Sequence, residues 1–127
     1  MGLLSELFGP KKVPEKTLGI ALGEPPLEQT IRIDFSYGST HFQHLYALED
    51  QLERVISHSG AGGYEGKDVA ADGSTAAFHL YGPDAEALFR LISPVLAQYP
   101  FMRGAKVTLW FGPPKRKTPK RVIELPD

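Results

Sequence analysis

One stretch sets the order of everything around it: Gly66 to Tyr81, where two apolar-alternating runs meet at Asp72-Gly73. An Asp-Gly pair tolerates the positive φ angles of a tight two-residue turn, so the stretch predicts a β-hairpin. That turn would set Ala71 opposite Ser74, Val69 opposite Ala76 and Lys67 opposite Phe78. A helical pattern ends near Gly60 on one side, and a second begins at Pro83 on the other. A strand pattern lies outside each helix. The order is strand, helix, hairpin, helix, strand.

The outer elements carry clear periodicities. In Thr30–Tyr37, Ile31, Ile33, Phe35 and Tyr37 alternate with Thr30, Arg32, Asp34 and Ser36, the pattern of a half-buried strand. Leu45, Leu48, Leu52, Val55 and Ile56 recur at helical spacing opposite Glu49, Asp50, Glu53 and Arg54, which predicts a solvated acidic face. Ser39 or Thr40 is the expected helix cap, with Gln43 as partner to Thr40, and Gly60 the left-handed stop. Ala61-Gly62-Gly63 reads as a flexible lead into the hairpin. In the second helix, Pro83 suits the first position, Asp84 and Glu86 the first turn, and Pro94 predicts a kink. Its stripe runs Ala85, Leu88, Phe89, Ile92, Val95, Leu96, Tyr99. Lys106–Phe111 is the last clear strand, and Arg121–Leu125 predicts a short extra one at an edge.

Helices with one apolar stripe and strands with one apolar face pack as two layers, so an α+β sandwich with an antiparallel sheet is expected. The β-α-β-β-α-β order over Thr30–Gly112 resembles the ferredoxin-like fold, the split β-α-β plait, as found in small bacterial domains of this size. The resemblance implies that the first strand lies between the third and fourth, with both helices on one side. At 127 residues one domain is expected. It divides into an N-terminal amphipathic segment and connector (1–29), the plait (30–112) and a basic C-terminal extension (113–127).

Much chemistry is excluded. The chain has no cysteine, hence no disulfide, thiolate metal site or cysteine nucleophile. Residues 1–114 carry 9 Lys and Arg against 13 Asp and Glu, and the rest carry 5 against 2. An acidic body with a basic tail is a poor match to nucleic acid. RNA recognition modules share the plait, but their glycine-aromatic basic motif is missing from STAAFHLY. Acylphosphatases share it too, yet the loop YGSTHFQ after the first strand lacks their anion-cradling arginine. His41 and His44 form an i, i+3 pair with no third ligand in reach, His58 has no orienting carboxylate, and the AGGYEG loop follows a helix, the reverse of a phosphate loop. KRKTPKR (115–121) is expected to be a solvated tail. No metal or cofactor is expected, and no enzyme activity is preferred.

What remains is the sheet face turned away from the helices. Its expected members are Arg32 and Asp34, His79 and Tyr81, and Lys106, Thr108 and Trp110. Trp110 is the only tryptophan, and leaving it in water would forgo about 1.5–3 kcal/mol of burial, so a cover is expected. One candidate cover is the amphipathic segment carrying Leu3, Leu4, Leu7 and Phe8, too short to hold a helix alone; others are Thr17–Leu22, the C-terminal tail, a second subunit or a ligand. The expected function is a non-enzymatic interaction or regulatory module. It would bind a protein partner, a second copy included, through this face, the N-terminal segment or both. The alternative is a small-molecule sensor or small enzyme with a pocket between sheet and flanking segments, using Arg32, Asp34, His79 and Tyr81. No apolar run reaches the ~20 residues of a membrane span. A cytoplasmic setting is expected, with peripheral membrane contact through residues 2–8 left open.

Overall fold

The computed structural model describes residues 28–126. The Leu3, Leu4, Leu7 and Phe8 segment and Thr17–Leu22 lie outside the described residues. The elements run β1 (Gln29–Ser36), α1 (Gln43–Ser59), β2 (Gly63–Val69), β3 (Thr75–Gly82), α2 (Ala85–Leu96), a 3₁₀ turn (Pro100–Met102), β4 (Lys106–Trp110) and β5 (Lys120–Glu124).

The sheet is antiparallel with order β2-β3-β1-β4-β5. Central β1 pairs with β3 on one side and β4 on the other. The five-stranded sheet departs from a four-stranded plait because Lys120–Glu124, within the basic extension, adds β5 beyond β4.

Alternation decides which residues become core. Ile31 lies in register with Leu80 and Leu109, and Ile33 with Phe78 and Val107. All six are buried in one cluster with Leu45, Leu48, Leu52 and Ile56 of α1 and Ala85, Leu88, Ile92 and Leu96 of α2. The helices therefore share one side of the sheet, where they also touch each other. An aromatic group closes one end: Phe35 is 5.1 Å from Phe78 and 5.7 Å from Phe101, and Tyr37 is 5.0 Å from Phe101, ring centre to ring centre.

Several local expectations shift. The Val69–Ala76 and Lys67–Phe78 pairings are present, but the turn is longer than two residues. The Gly73 N–H donates to the Ala70 carbonyl and the Ala70 N–H to Thr75, so the bend centres on Ala71-Asp72 with Gly73 at φ +74°. Glycine is required there, because a Cβ would lie 1.9 Å from the Ser39 carbonyl oxygen. Strand β2 begins at Gly63, with a bulge between Tyr64 and Gly66. Helix α1 begins at Gln43 without a side-chain cap. The Ser39 hydroxyl accepts instead from the His41 N–H, while the Ser39 N–H is held by Gly73. Gly60 ends α1 in the left-handed region as expected. In α2 the cap is Asp84, whose carboxylate accepts from Ala87, and Pro94 falls in the last turn.

Candidate functional site

The register builds the open face in rows running across the sheet. One row reads Gly63, Tyr81, Thr30, Trp110, Lys120. The next reads Gly66, His79, Arg32, Thr108, Val122, and the third Asp68, Ala77, Asp34, Lys106, Glu124. All seven sequence-derived residues thus lie on the side opposite the helices. Among the described residues no helix or strand lies over them.

Charges on this face are largely matched. The Arg32 Nε donates to Asp34 at 2.9 Å, and His79 Nε2 lies 2.8 Å from the Asp68 carboxylate. Arg32 and Lys106 border Asp34 and Asp68, so the face has no single-sign field.

Two depressions flank the Arg32 row. The larger, about 550 Å³, is lined by Arg32, Asp34, Asp68, Thr75, Ala77 and Lys106, among others. Its floor follows from sequence: Ala77, with no side chain beyond Cβ, sits in register between Asp34 and Asp68. The smaller, about 210 Å³, is lined by Thr30, Arg32, Glu65, His79, Trp110 and Pro114. Thr30 Oγ1 is buried there without a hydrogen-bond partner among the described residues. It lies in register between Tyr81 and Trp110, where an unmet hydroxyl costs stability.

The structure does not gather all seven residues into one site. Arg32 borders both depressions, Asp34 and Lys106 the larger, and His79 and Trp110 the smaller. Thr108 is only 5% exposed and contributes no reachable group. The Tyr81 ring leans across Gly63, where a Cβ would meet its hydroxyl oxygen at 2.3 Å. Tyr81 lines a separate cleft with Glu53, Ser57 and Gly62.

Sequence reasoning missed a polar clamp on the helix side. Glu49 is not a solvated residue of α1: its carboxylate accepts from the Tyr64 hydroxyl at 2.7 Å and from Lys67 Nζ at 2.8 and 3.0 Å. The Lys67 ammonium also lies 5.3 Å from the centre of the Tyr46 ring, a cation–π distance. Burial, then the Glu49 hydrogen bond and charge, push the Tyr64 phenol far above its usual range. The signal was present: Tyr64 and Lys67 fall on the helix-facing side of β2, where Lys67 needs a counter-charge.

Among the described residues no three or more His, Asp or Glu side chains are grouped to hold a metal ion. No helix among them is long and apolar enough to cross a membrane. No protein family model, curated protein or solved structure matches the chain.

Proposed function

We propose that the chain is an interaction module that receives a protein partner on the open face of its sheet. One observation carries this reading: a five-stranded sheet has one face sealed by two helices, while the other presents Trp110, Arg32 and His79 with no covering element among the described residues. Tryptophan and arginine are the residues that most often anchor protein interfaces. Matched charges on the face favour a protein surface of mixed polarity over nucleic acid. The placement of β1 between β3 and β4 supports reading the domain as a ferredoxin-like plait extended by β5.

The test is site-specific photo-crosslinking in cells of the source organism. A photoreactive residue replaces Lys106 on the open face or, as control, the outward-facing Tyr46 of α1. A discrete protein adduct from position 106, lost on Arg32→Glu, is the expected result. No adduct at 106, or the same adduct from 46, overturns the reading.

The depression of about 550 Å³ favours a second reading, a small polar ligand held between Arg32, Asp34 and Asp68. A true ligand at a hundred times its dissociation constant would add ~2.7 kcal/mol of stability in a thermal-shift screen. Arg32→Ala would abolish that gain.

A further inference from the structure

We propose that β5 is a self-pairing edge, through which two copies of the chain join their sheets in antiparallel register about a two-fold axis at Val122. The inference stands apart from the open-face reading, because it uses the rim of the sheet and not its surface.

Backbone direction comes first. The Leu125 N–H donates to Ala105, and the Pro119 carbonyl accepts from Phe111, so odd-numbered residues of this segment turn their polar groups toward β4. In an antiparallel ladder the intervening residues turn theirs the other way. Lys120, Val122 and Glu124 therefore direct N–H and C=O groups outward. Among the described residues no strand accepts them.

Side chains supply the register. The same three residues project on the open face. Pairing β5 with a second β5 about Val122 sets Lys120 opposite the partner's Glu124, and Glu124 opposite the partner's Lys120. Val122, 53% exposed, then meets its own symmetry mate. Opposite charges directly across a ladder stabilise it, and like charges oppose it. A slip of two residues breaks both ion pairs, so a single register is selected. Lysine on an edge usually discourages pairing, but here each lysine meets a carboxylate. The other cation, Arg121, is turned to the helix side and held by Glu86 at 2.7 Å. The residues whose outward backbone groups no described strand accepts are thus the ones whose side chains are complementary under two-fold symmetry.

Five residues a side make a small contact compared with the ~1,000 Å² of a stable interface, so the association should depend on concentration. Light scattering of the full chain from roughly 10 μM to 1 mM tests it. A doubled mass at the upper end is expected. Lys120→Glu or Glu124→Lys alone should each weaken it by roughly tenfold or more. An equimolar mixture of the two variants should recover it as a heterodimer. Both sites are exposed, so folding should survive, as circular dichroism would verify. The chain has no native cysteine, and mates in a hydrogen-bonded pair lie ~5.5 Å apart at Cα, within disulfide reach. Val122→Cys should therefore oxidise to a cross-linked dimer faster than Tyr46→Cys. A single-chain mass at every concentration, whether the edge stays open or is covered by residues 1–27 of the same chain, overturns the proposal. So does a dimer indifferent to the charge reversals.

Discussion

The two faces of the sheet are made by alternate residues of the same strands, yet they solve opposite problems. Phe78 and His79 are neighbours in β3. Phe78 is fully buried against Ile33, Val107 and the helices, while His79 sits beside Arg32 and pairs with an exposed carboxylate. The helix side derives its stability from apolar area removed from water. The open side gains little from its ion pairs, which water screens. Stability thus rests on one side of a single layer of backbone, and the open residues can change at little cost to the fold.

The sharpest way to break that contrast is to truncate the two neighbours in turn. Phe78→Ala should cost about 3–5 kcal/mol in urea unfolding, as a fully buried aromatic does. His79→Ala should cost less than about 1 kcal/mol, and it is the smallest effect expected of the set. Equal losses would mean that the open face is part of the core.

Next in size is the clamp. Glu49→Ala strands Lys67 and Tyr64 beside the core and should cost about 1–3 kcal/mol. The same site gives a pH dependence. Because folding raises the Tyr64 pKa above its unfolded value, its contribution is complete below pH ~10 and is lost as the pH rises further. Tyr64→Phe should flatten that alkaline decline, read from unfolding curves between neutral and alkaline pH. Thr30→Val should have the opposite sign, stabilising by about 1 kcal/mol, because it removes a buried hydroxyl without a partner among the described residues. A loss of stability there would reveal a contact to Thr30 Oγ1 from beyond the described residues.

Legibility in the sequence followed the range of the interactions involved. Strand β1 was readable because Ile31, Ile33 and Phe35 alternate within a single element. The α1 stripe was readable for the same reason, and so was the side of the sheet on which Arg32, His79 and Trp110 lie. The start of α1 was not, because Ser39 is held by Gly73 in the distant hairpin turn. Local capping rules place the helix too early as a result. Glu49 was misread for a related reason: its partners lie 15 and 18 residues away, and helical periodicity carries no information about them. Tyr81 was placed on the correct side, but its lean over Gly63 depends on a neighbour lacking a side chain.

The position of β1 also bears on how the protein is made. Of the described strands, the first to emerge from the ribosome is the middle of the sheet, and both its neighbours are translated only after a helix has followed it. Until then none of the described strands can pair with its backbone, and exposed isoleucines invite contact with other nascent chains. Among the described elements α1 is the earliest that can cover that strand, through Leu45, Leu48 and Leu52, so the wall of the core is also the first shelter its sequence order offers.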